Sequence, residues 1–431
     1  MRWRRTPLTL FVGAVAIVAA ASLISGCGGS DSDQPVTITS VGPNAVTYWN
    51  GVASTTVNVA AAATGTDEER RPTYAVDLAT VHVAVYDALM AIVGTHEPYA
   101  ITPVAPVSGA SQEAAVGAAA YRVLLGLFPA RTAQYQGAYD SFLLTIPDGT
   151  AKNRGIAVGN EVAAGILALR ANDGRSVVLS AFVPGTAAGD FRGANPINRY
   201  LPSIKPFALT SLSQFRVPAP PALDSTTYAT DLNETRTLGS ATSTTRTADQ
   251  SDLARFGTEP PPVFWVSNLQ TFAMTDRSLA EHARLMALVW VTQADASNAC
   301  FESKYVYLRW RPFSAIALAD TDGNPDTAVD ATWTPVVPTP NHPEYPAAHG
   351  CVSGSVAEAL AGYYGTQNVT FDLVGAVSGV TRHYTALPDM MQDIRMARVA
   401  GGMHFRTSAV EGEALGRNVG RWVLDHHFRA R

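Results

Sequence analysis

The sequence predicts an all-α fold, a helical bundle decorated with long irregular loops. Three observations lead there. Core-type positions recur at three- and four-residue steps, as Ala75, Leu78, Ala79, His82, Val83, Tyr86 and Met90 do. Gly and Pro punctuate between such stretches, where helices end. Strand signals are sparse, and the sequence carries no internal repeat, heptad or Gly-rich phosphate loop.

Taken in order, residues 36–66 read as extended or irregular, rich in Thr, Val and Gly. Helical periodicity begins at 67–92, where His82 and Asp87 read as packing and surface groups. Further helices are expected over 112–128, 131–146 and 151–172, the last closed by Asp173-Gly174. Residues 174–265 hold many Pro, Ser, Thr and Gly among aromatics such as Phe191, Tyr200, Phe264 and Trp265. They read as an ordered excursion over one side of the helices, with one helix near 225–238. Helix returns at 276–299 and continues to about Arg311. Another opens at Pro346 and runs to about Tyr363, because proline costs no hydrogen bond at a first helical position. A helix from near Asp389 is interrupted at Gly401-Gly402. The last starts at about Ser408, where Ser408 and Glu411 have capping-box spacing, and runs to His426.

The N-terminus reads as targeting rather than fold. Arg2, Arg4 and Arg5 precede an apolar run over 9–23 that is shorter than a membrane span needs. The run ends in Leu23-Ile24-Ser25-Gly26-Cys27, which resembles a bacterial lipoprotein signal. That implies lipidation of Cys27 and export to the periplasm or outer cell surface, with membrane attachment through the lipid alone. The expected organisation is a signal over 1–27, a tether and extended segment over 28–66, and a single helical domain over 67–431.

With 431 residues, 47% apolar and 16% charged, the chain can fill a sizeable core and is not generally disordered. Its formal charge of −5 gives no basic footprint, which argues against nucleic acid as a partner.

Chemistry concentrates in the last third. Lys304 and Arg311 are seven residues apart, and seven helical steps return to within roughly 20° of the start, so both cations project from one face. Pro312 disfavours helix at Arg311 and leaves that guanidinium at a loop edge, able to clamp an oxyanion with two prongs. In Pro346-Ala347-Ala348-His349-Gly350, the amides of a helix start and the helix dipole make an anion site, with a histidine in the same turn. Arg398 and His404 flank the Gly401-Gly402 break, where the chain can turn and bring both to one point. Together these segments suit a tetrahedral or trigonal oxyanion.

Lys304-x6-Arg311-Pro312, Pro346-x-x-His349 and Arg398-x5-His404, in this order, resemble the three-part signature of the vanadium-dependent haloperoxidases and type 2 phosphatidic acid phosphatases. The resemblance covers roughly 275–425. It implies a helical bundle whose pocket holds vanadate or phosphate. His404 would bond vanadium or attack phosphorus, and His349 would be the acid–base group. Lys304, Arg311, Arg398 and the amide of Ala348 would hold the oxyanion's oxygens. The sequence departs from the family at Ala347 and Ala397, where serines are usual, and at Ser408, where the phosphatases have an aspartate that supports the nucleophile. The expected activity is oxidation of halide by hydrogen peroxide with vanadate as cofactor. The alternatives are hydrolysis of a phosphate ester through His404, or a surface lipoprotein that keeps the bundle without turnover.

Cys300 and Cys351 would be the remaining thiols of an exported chain. Cys300 lies one turn before Lys304 and Cys351 two residues after His349, so they form a candidate disulfide. Against it, two helical steps turn Cys351 about 200° away from His349.

Overall fold

The computed structural model describes residues 34–62, 74–375 and 378–431. The signal segment with Cys27, most of the expected tether and residues 67–73 lie outside the described residues. Thirteen helices and a small sheet make up the described part: α1 (Ala45–Ala62), α2 (Tyr74–Val93), α3 (Gln112–Leu127), α4 (Thr132–Leu143), α5 (Thr150–Arg170), α6 (Thr226–Gly239), α7 (Ala248–Phe256), α8 (Pro261–Phe272), α9 (Leu279–Tyr307), α10 (Pro312–Ala317), α11 (Ala348–Tyr364), α12 (Leu387–Ala400) and α13 (Arg406–His426). The strands β1 (Val36–Thr37), β2 (Val369–Val374) and β3 (Thr381–Tyr384) lie in the order β1-β2-β3, with β1 parallel and β3 antiparallel to β2.

Local chemistry explains several starts. Ser111, Ser225 and Ser278 each accept the amide three residues on and so cap α3, α6 and α9. Thr247 and Gln250 form a reciprocal capping box at α7. α9 ends at Leu308, which takes a left-handed conformation with φ of 46°.

Two expectations fail here. Over 36–62 the chain is not the extended or irregular segment expected: β1 pairs with β2, and α1 fills much of the stretch. Asn44 starts α1 by accepting the amides of Val46 and Thr47. Trp49 is fully buried against Tyr139 and Phe142, a burial that contributes on the order of 2–3 kcal/mol. Tertiary burial overrides the weak helix preference of the Thr and Val residues. β1 and α1 thus belong to the same compact unit as the helices from α2 onward. The β2–β3 hairpin was also unexpected.

The long α9 is the axis. α2, α11 and α13 all pack on it, and α2 in turn carries α3 and α5. The pair α11 and α13 approaches backbone to backbone. A Cβ at Gly416 would lie 2.1 Å from the Cys351 carbonyl oxygen, and one at Gly350 would lie 2.7 Å from that of Ala409. Only glycine permits this, and it sets the His349 helix against the helix that follows His404. Asp87 is fully buried rather than at the surface, and so is His82.

Candidate active site

Lys304 is in the last turn of α9 and is fully buried. Arg311 is not on that helix. α9 stops at Tyr307, Leu308 takes a left-handed conformation, and Arg311 becomes the residue before α10. The one-face argument from seven helical steps therefore does not hold, yet both cations reach the same cluster. Lys304 Nζ donates to the carbonyls of Pro343 (2.8 Å) and Glu344 (2.9 Å). Arg311 donates to the carbonyls of His342 (2.7 Å) and Met403 (2.8 Å) and lies 2.9 Å from His404 Nε2.

α11 begins two residues later than expected: Ala347 is the N-cap, Ala348 the first helical residue, and Pro346 precedes both. The first-turn amides still have no carbonyl one turn back to bond. The amide of Ala347 donates to the Ser408 carbonyl (3.0 Å), which ties α11 to α13. At the other joint, α13 starts at Arg406 after Phe405, so Ser408 sits inside the helix and caps nothing. Its hydroxyl instead lies 3.4 Å from the Glu344 carbonyl and 3.5 Å from His404 Nδ1.

His404 is 1% exposed. Its tautomer follows from its neighbours. Arginine can only donate, so Nε2, facing Arg311, carries the lone pair. The ring proton is then on Nδ1, which donates to Glu344 Oε1 at 2.9 Å. Burial, then Arg311 and Lys304, push the imidazole well below its ordinary range and keep it neutral.

Arg398 ends α12 and is buried. It donates to the Gly257 carbonyl and, at 3.0 Å, to Met403 Sδ. Its Nε has no hydrogen-bond partner. His349 Nε2 lies 2.7 Å from the Glu259 carbonyl and 3.3 Å from Arg398. The shorter contact decides the tautomer: Nε2–H donates to Glu259, and Nδ1 carries the lone pair. Burial, then Arg398, hold His349 well below the usual histidine range. His349 and Arg398 also line a mostly apolar chamber with Phe256, Phe264, Tyr384 and Ile394.

Charge bookkeeping within the cluster is lopsided. Lys304 and Arg311 face one carboxylate, Glu344, while Arg398 spends its donors on a carbonyl and a thioether. Burial, opposed in part by Cys300 and reinforced by Arg311, pushes Lys304 down to about 8. Burial likewise pushes Arg311 to about 10 and, with Arg311 beside it, Arg398 to about 9. Burial raises Glu344, while Lys304 and Arg311 pull it back towards ionisation.

The structure brings Lys304, Arg311, Arg398, His349, His404 and the Ala348 helix start together. The sequence reading missed Glu344 and His342. His342 lies under Arg311, with Nδ1 3.0 Å from the guanidinium. A carboxylate between Pro343 and Tyr345-Pro346, in a loop otherwise poor in charge, was the available signal. The candidate disulfide is not formed: Cys300 and Cys351 are free and buried, with Cys300 Sγ 3.7 Å from the Pro346 carbonyl. The angular argument alone did not anticipate that the two thiols would interact as neighbours.

Comparison with known proteins now has geometry to rest on. Residues 284–431 match the family described as the VCPO second helical-bundle domain. Over that stretch the chain is similar to the second helical bundle of the vanadium haloperoxidases. Its fold is similar to that of a bacterial vanadium-dependent iodoperoxidase, with a TM-score of 0.72 and 21% identity, covering 91% of this chain and 98% of that one. A holo-type bacterial vanadium-dependent chloroperoxidase gives 0.70 and 15% identity, covering 89% and 97%; an apo-type one gives 0.65 and 15%, covering 82% and 92%. No curated protein matches the chain by sequence. The structure places the three positions at which the sequence departs from the resembled signature. Ala347 is the uncapped start of α11, Ala397 packs beneath Gly257, and Ser408 has Glu344 beside it.

Proposed function

We propose that the chain is a vanadate-dependent haloperoxidase, oxidising halide with hydrogen peroxide. The observation that carries this is the His404 Nε2 lone pair presented beside Arg311 in a cluster of three buried cations, of which Lys304 and Arg311 share the carboxylate of Glu344. The residues fit vanadate: the partnerless Nε of Arg398 and the excess positive charge both suit an oxyanion. His404 would bond vanadium through Nε2, and Lys304, Arg311, Arg398 and the Ala348 amide would hold the oxygens. When bound, vanadate supplies Lewis-acid activation of peroxide.

The chain's own groups do the rest. Arg311 and Arg398 keep their charge and compensate that of the anion. Lys304 offers Nζ–H donors to an approaching peroxide. His349, held neutral, takes the peroxide proton at Nδ1 while Nε2–H stays on the Glu259 carbonyl. The apolar chamber beside His349 limits water there.

A second reading, phosphate-ester hydrolysis, is favoured by Glu344, because a carboxylate behind His404 also suits a nucleophile. His349 weighs against it. Protonating a leaving alkoxide needs an imidazolium, and burial next to Arg398 disfavours that form. The assembled cluster also speaks against a lipoprotein without turnover. The test is one phosphate-free preparation, given orthovanadate and assayed for peroxide-dependent bromination and for p-nitrophenyl phosphate hydrolysis. Bromination that requires vanadate and is suppressed by phosphate is expected; hydrolysis without bromination overturns the proposal. Export as a lipoprotein belongs to the same reading and rests on the n-region and Cys27. Mass spectrometry of the mature N-terminus checks it for a lipidated cysteine.

A further inference from the structure

Glu344 belongs to none of the three sequence motifs, yet it bonds to the segments of the first and the third. Its amide donates to the Arg309 carbonyl at 2.9 Å, in the turn between Lys304 and Arg311. Its carbonyl accepts Lys304 Nζ at 2.9 Å and the Ser408 hydroxyl at 3.4 Å. Its Oε1 accepts His404 Nδ1–H at 2.9 Å and the Phe405 amide at 3.1 Å. The residue is 1% exposed, so water does not compete for these bonds. A histidine that presents Nε2 to a ligand is set by what its Nδ1–H donates to, and a carboxylate there also makes Nε2 more basic.

We propose that Glu344 is the positioning residue of the oxyanion site: its carboxylate locks His404 as the Nδ1–H tautomer and aims the Nε2 lone pair into the cation cluster. The role is carried by the loop before α11, because the hydroxyl at 408, one turn along from His404, is 3.5 Å from Nδ1 and carries no charge. A carboxylate placed at 408 would reach the same nitrogen. The two positions are therefore interchangeable sources of one contact, which makes the proposal open to rescue.

This inference rests on His404 as the oxyanion's ligand, and the test separates the two. Histidine-¹⁵N-labelled apo protein is compared as wild type, Glu344→Met and Glu344→Met/Ser408→Asp, with melting temperatures recorded. The ¹⁵N shifts report the His404 tautomer without any anion, and calorimetry with tungstate reports the affinity. Wild type should show the Nδ1–H form. Glu344→Met should lose it and bind tungstate about 10–100-fold more weakly, the range for such supporting contacts. The double variant should restore both. If Glu344→Met does not fold, Glu344→Gln keeps the acceptor and removes the charge. It should then melt like wild type and bind about tenfold more weakly, and undiminished affinity in that variant overturns the proposal. An unchanged tautomer and affinity in Glu344→Met overturns it, as does a double variant that regains stability without regaining the tautomer. Wild-type protein with the Nδ1–H form but no tungstate binding instead sinks the functional reading.

Discussion

Two regions of this molecule bury charge, and they do so in opposite ways. Where α2 and α9 meet the long loops, each buried carboxylate is saturated by backbone. Asp87 accepts the amides of Tyr99, Ala100 and Ile101 at 2.5, 3.0 and 2.8 Å. Asp295 accepts those of Phe207, Ala208 and Leu209 at 2.7, 2.7 and 3.0 Å. Nearby, Arg170 and Arg175 are balanced by Asp173 and Asp77. At the other end of α9, Lys304 and Arg311 share one carboxylate, and the three cations of the cluster spend their other donors on carbonyls, a thioether and imidazole nitrogens. A carbonyl satisfies an N–H but leaves the charge uncompensated. The first region is closed and holds loops in place; the second leaves an excess of positive charge, which the proposed anion would compensate. Excess of one sign, not burial of charge as such, is what distinguishes a site from a staple.

The largest test of that contrast is His404→Ala. Vanadate and tungstate binding should fall below detection by calorimetry, with the melting temperature kept to within about 5 °C. A variant binding vanadate with wild-type affinity would remove His404 from the site.

Asp295→Ala should do the reverse. It strands three backbone amides in the core, at a cost of about 3–5 kcal/mol, so the denaturation midpoint should drop sharply. Tungstate affinity of the folded fraction should hardly change. Asp295→Asn keeps an acceptor and should recover part of the loss.

The third test uses pH. Lys304, pushed down to about 8, loses its proton as pH rises through that value. Tungstate keeps its own charge there, so its affinity should fall as pH rises from about 7 to 9.5. Folding has the opposite sign. Between about 8 and the ordinary lysine value the unfolded chain binds more protons than the folded one, so stability of the apo protein should rise with pH across that window. Lys304→Met should lose both slopes, read as differences from wild type. An affinity that stays flat through pH 8 would show that Lys304 does not face the anion.

The smallest effect is expected from Ala347→Ser. Ala347 is the uncapped N-cap of α11, so a hydroxyl there would bond a first-turn amide and stabilise by about 1 kcal/mol. That competes with reaching the anion, so a gain in stability with little gain in tungstate affinity is the outcome to look for in paired melting and calorimetry.

The sequence by itself determined the helical class, most helices from 74 onward, and the ordered triple of Lys304/Arg311, His349 and Arg398/His404. Those signals are local: periodicity, Gly and Pro punctuation, and short fixed spacings survive in one dimension. Tertiary structure decided the rest. α1 forms because Trp49 has a core to enter, which the Thr and Val residues around it do not announce. Arg311 reaches Lys304's cluster after the helix has ended at a left-handed Leu308, not along a helix face. His404's tautomer is set by Glu344, 60 residues away in sequence. A carboxylate so far from its partner has no periodicity or spacing to mark it, and its role appears only when α9, α11 and α13 close around it and exclude water.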